Sequence, residues 1–196
     1  MKVIGLTGGT GSGKSVVSRR LEKVGARIVD ADKIGHEIIE KGKPAYTEIV
    51  EYFGNGMLDE QGHIVRRRLG EIVFHDAQKL AFLNQCTHKY IIAEVKRQIA
   101  EAKEMGRAKA VVIDAPLLLE AGLERLCDAV WVVFAEEEVR IRRIMERDGV
   151  SYELAQARIG KQKPWAEYEK AADVIIDNSR DIPFLEKQLQ KLLETL

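Results

Sequence analysis

The sequence predicts an α/β fold, a parallel sheet flanked by helices, and three observations predict it. The stretch Gly5-Leu-Thr-Gly-Gly-Thr-Gly-Ser-Gly-Lys-Ser15 follows the apolar run Val3-Ile4 and precedes a segment of helical spacing. Five short β-branched or apolar runs recur along the chain, of the kind that helices bury on both faces. Helical patterns alternate with these runs, which argues for parallel strands joined by crossovers.

In chain order, the first strand is Lys2–Leu6 and the glycine loop follows it. Gly8-x-x-x-x-Gly13-Lys14-Ser15 fits the P-loop pattern, in which successive backbone N–H groups face an anion at a helix N-terminus. Lys14 then reaches β and γ phosphates, and Ser15 offers its hydroxyl to Mg²⁺. With Gly9 and Gly11, four glycines fall within six residues, where bulky side chains would block a phosphate. A helix over Lys14–Val24 and a strand over Ala26–Asp30 come next. From about Asp32 to Met105 the pattern is helical only, with helices at Ala45–Tyr52, Arg66–Phe74 and Lys79–Glu104. That span is too long for a simple crossover and reads as an inserted acceptor-binding subdomain, about 32–105. Strands Ala110–Asp114 and Ala129–Phe134 resume the alternation. Helices Glu137–Arg147 and Tyr152–Lys161, strand Val174–Asp177 and helix Phe184–Leu193 complete it. Asp181 is a suitable N-cap for the last helix, with Leu185, Leu189, Leu192 and Leu196 on its core face.

Composition narrows the function classes. Lys+Arg and Asp+Glu are 31 each, so no overall field favours nucleic acid or an anionic membrane. Cys86 and Cys127 are far apart, form no C-x-x-C, and read as inert thiols of a reducing compartment. There is no long apolar run and no signal-peptide layout, so a cytoplasmic protein without a membrane or nucleic-acid partner is the expectation. His36, His63, His75 and His88 have no metal-ligand spacing. Trp131 reads as core, and Trp165, after Pro164, as packing rather than a ligand contact. Nothing sets the oligomeric state, and a monomer is compatible with all of it.

Further chemistry gathers at strand ends. Ala110-Val-Val-Ile-Asp114 is an apolar strand closed by an aspartate, the Walker B arrangement that holds Mg²⁺; an Asp ending a strand is also an ordinary turn residue. Asp30-Ala31-Asp32 closes the second strand, where a carboxylate can take a proton from an acceptor hydroxyl or cap the next helix. Arg140, Arg143 and Arg147 fall at i, i+3 and i+7 on one helix face. They suit either a solvated face paired with Glu136, Glu137 and Glu146 or a clamp on a transferring phosphoryl group. Arg66-Arg67-Arg68 opens a helix against its dipole, so either an anionic acceptor or Asp59 and Glu60 must compensate.

Taken in order, Gly5 to Ser15, Val29-Asp-Ala-Asp-Lys33, Ile64 to Phe74, Asp114-Ala-Pro-Leu-Leu-Leu-Glu120, Arg142 to Gly149 and Ala172-Asp-Val-Ile-Ile-Asp-Asn178 resemble the dephospho-CoA kinases over nearly the whole chain. The resemblance implies a P-loop kinase fold like that of nucleoside monophosphate kinases, with a five-stranded parallel core at about 1–31, 106–138 and 172–196 and a lid at about 139–171. It implies ATP as donor, Mg²⁺, and transfer to the ribose 3′-hydroxyl of dephospho-CoA. By the same resemblance Gly8 and Gly11, Ser12, Gly13, Lys14, Ser15 and Val16 bind ATP phosphates, and Asn178 marks the adenine side. Asp32 matches the family's base, Arg66 and Pro116, Leu117, Leu118, Leu119 and Glu120 match acceptor-side motifs, and Arg143 and Arg147 match the lid. Ser15 and Asp114 are the metal positions. The chain departs from the family pattern at Val65, Asn84, Lys89 and Arg140, changes that bear on acceptor binding and leave the phosphate machinery intact. The residues alone leave open another small-molecule P-loop kinase. A regulatory GTPase would need N-K-x-D and D-x-x-G, and Asp114 is followed instead by Ala-Pro-Leu.

Overall fold

The structure is a computed structural model that describes residues 1–194. Five parallel strands, β1 (Lys2–Thr7), β2 (Arg27–Asp30), β3 (Ala110–Asp114), β4 (Ala129–Phe134) and β5 (Val174–Asp177), form one sheet in the order β2-β3-β1-β4-β5. β1 lies between β3 and β4, with Leu6 beside Asp114 and Thr7 beside Val132, and Phe134 is beside Asp177. The carboxyl ends of these strands therefore share one edge, the edge that binds ligands in open α/β sheets. At the opposite edge two aspartates extend the ladder. Asp128 accepts from the Val3 N–H at 2.7 Å, and Asp173 from the Val130 N–H at 2.7 Å.

The chain divides into two compact units, Met1–Val29 with the chain from Ile99 onward, and Asp30–Gln98. In the first, α1 (Lys14–Lys23) and α9 (Ile182–Leu193) lay Val17, Leu21, Leu185 and Leu189 against Ile4, Leu6, Val112, Trp131, Val133 and Ile176. Leu21 and Leu185 are wholly buried, worth roughly 1.5–3 kcal/mol each. Trp131 is core as its strand position requires, and Asp181 caps α9 by accepting from the Phe184 N–H at 3.0 Å. Leu196, expected on the same face of α9, lies outside the described residues. A satellite core of Ile141, Ile144 and Ala155 joins α6 (Glu137–Asp148) to α7 (Tyr152–Gly160).

The second unit holds α2 (Ala31–Glu37), α3 (Pro44–Phe53), α4 (Arg66–Phe74) and most of α5 (Ala77–Met105). Its core is Ile39, Ala45, Ile49, Met57, Leu69, Val73 and Cys86. Beside it, Glu48 accepts from Tyr90 Oη at 2.5 Å and from Lys89 Nζ at 2.7 Å. Burial pushes the Cys86 thiol up to about 11, with Glu48 adding to the shift, which keeps it protonated and unreactive. α2 is the helix that a cap within Asp30-Ala31-Asp32 would open, whereas α8 (Trp165–Ala171) has no counterpart in the sequence pattern, being too short at seven residues to display a period.

Candidate active site

The loop between β1 and α1 occupies the carboxyl edge of the sheet. Gly13 takes a left-handed conformation at φ 86° as the residue before α1, no side chain caps that helix, and no acid lies in its first turn. The Lys14 and Ser15 N–H groups that open it are thus left for an anion, while those of Val16 and Val17 bond the Gly13 carbonyl. A cleft of about 470 Å³ opens here, lined among others by Gly11, Lys14, Ser15, Arg143 and Arg147. Gly11, at φ 78°, is doubly constrained, because a Cβ there would come within 2.7 Å of the Arg140 carbonyl oxygen. The glycines therefore admit protein neighbours as well as phosphate.

Lys14 Nζ donates to Asp114 Oδ1 within this site, the two side chains being 17% and 12% exposed. The aspartate that ends β3 is thus beside the loop rather than serving only its turn. The donor set suits a hard cation with a polyphosphate: an uncapped helix N-terminus with glycines where a Cβ would intrude, a lysine, an exposed Ser15 hydroxyl and a carboxylate.

The arginines of α6 do three different things. Arg140 turns inward, with Nε donating to the Thr10 carbonyl at 2.9 Å. Arg143 Nη2 donates to the Asn178 carbonyl at 2.9 Å, and its Nη1 lies 3.4 Å from the Gly11 and Ser12 carbonyls. Burial, and then Arg142, lower its pKa, so Arg143 is a desolvated cation that an entering anion would relieve. Arg147 pairs with Asp148 at 2.7 and 2.9 Å. Arg147 alone of the three is solvated, and it pairs with Asp148 rather than with Glu136, Glu137 or Glu146 among the described residues.

These observations meet the comparison with known proteins. The family model CoaE, dephospho-CoA kinase, matches residues 2–183. The chain belongs to the dephospho-CoA kinase family. A dephospho-CoA kinase of Carboxydothermus hydrogenoformans is 43% identical over 194 residues, covering 99% of this chain and 94% of the relative. A crystal structure from Thermus thermophilus superposes with a TM-score of 0.82 at 31% identity, covering 100% of this chain and 97% of that one. Dephospho-CoA kinase from Campylobacter jejuni gives 0.73 at 29% identity, with 98% of each chain covered. The fold is the P-loop kinase fold expected from the motif order.

The residues expected at a dephospho-CoA kinase site take the following places. Val16 does not offer its N–H to phosphate: it donates to the Gly13 carbonyl at 2.9 Å, and the side chain packs on the core. Ser12 is buried, its N–H bonds the Gly9 carbonyl at 3.1 Å, and its hydroxyl lacks a partner among the described residues; it faces a cavity of about 20 Å³ shared with Trp165 and Tyr168. Asn178 is 4% exposed, and its amide donates to the Ser12 carbonyl at 2.8 Å, so the side chain supports the loop from within. Trp165 packs on Phe134, ring centroids 4.6 Å apart. Leu118 is wholly buried, a core residue rather than an acceptor contact. Of its neighbours, Leu117 and Glu120 are exposed and Leu119 is half-buried. Pro116 lines the cleft, its carbonyl accepting from Thr7 Oγ1 at 3.1 Å.

In the second unit, the cap of α2 is Asp30, whose carboxylate accepts from the Lys33 N–H at 2.9 Å. Asp32 is exposed in the first turn of that helix, so the capping role weighed for it belongs to Asp30. Arg66 is exposed at the start of α4, whose N-cap position is Val65 and carries no side-chain bond. Asp59 does not neutralise the triplet: it accepts from the Gln61 and His63 N–H groups, Arg67 lies 3.6 Å from Glu71, and Arg68 donates to the Leu58 carbonyl at 2.6 Å. Among the described residues, no cluster of three or more His, Cys, Asp or Glu side chains could hold a metal, and no helix is long and apolar enough to cross a membrane.

The contact of Gln162 with the glycine loop was not legible in the sequence. Its Oε1 accepts from the Thr10 N–H at 2.9 Å and from Arg140 Nη2 at 2.8 Å. It stands in Lys161-Gln-Lys-Pro164, which reads locally as a helix end and nothing more.

Proposed function

We propose that this chain transfers the γ-phosphoryl group of ATP to the ribose 3′-hydroxyl of dephospho-CoA, giving CoA and ADP. The observation that carries the reading is membership of the dephospho-CoA kinase family over residues 2–183, in a chain whose glycine loop and Lys14 line one cleft and whose strand-end aspartate pairs with that lysine. Bound at Ser15 and Asp114, Mg²⁺ would neutralise phosphate charge.

Phosphoryl transfer passes through a loose transition state, so the protein contributes positioning and charge. The N–H groups at the start of α1 and the Lys14 ammonium bind the phosphates. Arg143 and Arg147 stabilise the charge that spreads over the transferring group. Asp32 orients the acceptor hydroxyl and accepts its proton. That role draws support from the position of Asp32 beside the end of β2, exposed, with the capping task taken by Asp30. Arg66 is suited to an acceptor phosphate by its exposure at an uncapped helix start, where an anion offsets the clash between its charge and the dipole. The helical span of about 32–105 binds the acceptor, and the segment of about 139–171 closes over the donor and excludes water. Dephospho-CoA is the small-molecule partner, and the work is done in the cytoplasm without nucleic acid or membrane.

The test is an acceptor panel. Purified protein with ATP and Mg²⁺ should convert dephospho-CoA to CoA and leave AMP, UMP and shikimate unphosphorylated, scored by product mass. Preferred turnover of any other acceptor would remove the assignment.

A further inference from the structure

We infer that Gln162 is a positioning residue for the phosphate loop, acting with Arg140 to hold Thr10 by both its backbone N–H and its carbonyl. Gln162 Oε1 accepts from the Thr10 N–H at 2.9 Å, Arg140 Nε donates to the Thr10 carbonyl at 2.9 Å, and Arg140 Nη2 closes the triangle on Gln162 Oε1 at 2.8 Å. All three contacts are partly buried, where hydrogen bonds are stronger and dependent on one another. Burial also lowers the pKa of the Arg140 guanidinium, which marks it as removed from water.

The loop then has two separate holds. Asn178 and Arg143 secure the Gly11–Gly13 side next to α1, through the Ser12 carbonyl and the contacts at 3.4 Å. Gln162 and Arg140 secure the other flank, where glycines on both sides of Thr10 would otherwise sample many conformations. This latch also accounts for Gly9. Its backbone does not require glycine, yet a Cβ there would come within 2.5 Å of Arg140 Nη2 and 3.0 Å of Gln162 Oε1. Glycine at position 9 makes room for the latch.

The inference rests on the loop being the donor-phosphate site and not on the identity of the acceptor. Gln162→Met keeps length and removes the acceptor oxygen. In this variant kcat should fall roughly 10- to 100-fold, the scale of a small misplacement, with the ATP KM within about threefold and the thermal midpoint nearly unchanged. Hydrogen exchange at Thr10 should speed up roughly tenfold, as loss of about 1.4 kcal/mol of hydrogen bonding requires. Arg140→Met and the double variant should each lose about as much as Gln162→Met, because all act on one peptide. Gly9→Ala deletes no contact and crowds the latch, so it is the second variant and should reproduce the kcat loss. Wild-type kcat and wild-type exchange in Gln162→Met or Gly9→Ala, or losses that multiply in the double variant, would overturn the inference. Calorimetric ATP binding by the unaltered protein separates the two failures: no ATP binding removes the donor-site assignment, and intact binding with unaffected variants removes only the latch.

Discussion

Lys14 and Asp114, 100 residues apart in sequence, form an ion pair at the carboxyl edge of the sheet, each side chain less than one-fifth exposed. Each charge compensates the other. Removing one partner strands the other, a larger loss than removing both. Lys14→Ala should lower kcat by roughly 100- to 1000-fold by deleting a cation from the transferring group. It should also lower the thermal midpoint by a few degrees, at roughly 2–4 °C per kcal/mol in a chain of this size. The double variant Lys14→Ala/Asp114→Ala should melt above Lys14→Ala. Calorimetry of the three proteins checks the order, and a double variant that melts lowest would deny the stranded carboxylate.

Arg143 and Arg147 should separate on substitution. Arg147 is exposed and, among the described residues, pairs with Asp148, so Arg147→Ala should leave stability within about 1 kcal/mol while kcat falls roughly 10- to 1000-fold. Arg143 also holds the Asn178 carbonyl, so Arg143→Ala should raise the ATP KM as well as lower kcat. Steady-state kinetics with ATP varied decides this. Wild-type kcat in Arg147→Ala would assign that residue to solvent.

The proposed roles of Asp30 and Asp32 divide capping from chemistry. Asp32→Asn keeps shape but cannot accept a proton at neutral pH, so kcat should fall about 100- to 10,000-fold with ATP affinity little changed. Asp30→Ala should cost about 1 kcal/mol of stability by removing the cap on the Lys33 N–H, with a smaller effect on turnover. Unfolding and turnover measured on both variants test the division. If Asp32→Asn loses only stability, the base lies elsewhere.

Glu48 gives the second unit an acid limit. Hydrogen bonds from Lys89, then from Tyr90, hold its carboxyl at about 2 against an ordinary 4.5. A depressed folded-state pKa means that the contribution is fully present above the unfolded value and is lost as pH falls from about 4.5 through about 2. Glu48→Gln should therefore show a weaker dependence of stability on pH over that window, read from denaturant midpoints at pH 5, 4 and 3. Parallel profiles for the two proteins would contradict the network.

The strands, the glycine loop and the aspartate that ends β3 were legible because each is written in consecutive residues. The capping of α9 by Asp181 was legible for the same reason. What sequence could not carry were contacts chosen by the tertiary fold. Asp30 and Asp32 are equivalent as caps on paper, and only the point where β2 ends makes Asp30 the one. Arg140, Arg143 and Arg147 share a spacing, yet α6 lies so that one meets Thr10, one meets Asn178 and one stays outside. Leu118 sits in an acceptor-like motif, but its side chain enters the core. Ser12 and Val16 belong to the motif, but loop curvature and helix start take up their N–H groups. Gln162 reaches Thr10 across 152 residues, and no local pattern could announce that pair.

The most direct test follows the transferred phosphoryl group itself. ATP labelled with oxygen-18 on the γ-phosphoryl, incubated with Mg²⁺, dephospho-CoA and the protein, should give CoA whose label fragments with the ribose 3′-phosphate, one per ADP formed. Label recovered as inorganic phosphate, or on any other position of the acceptor, would contradict the proposed transfer.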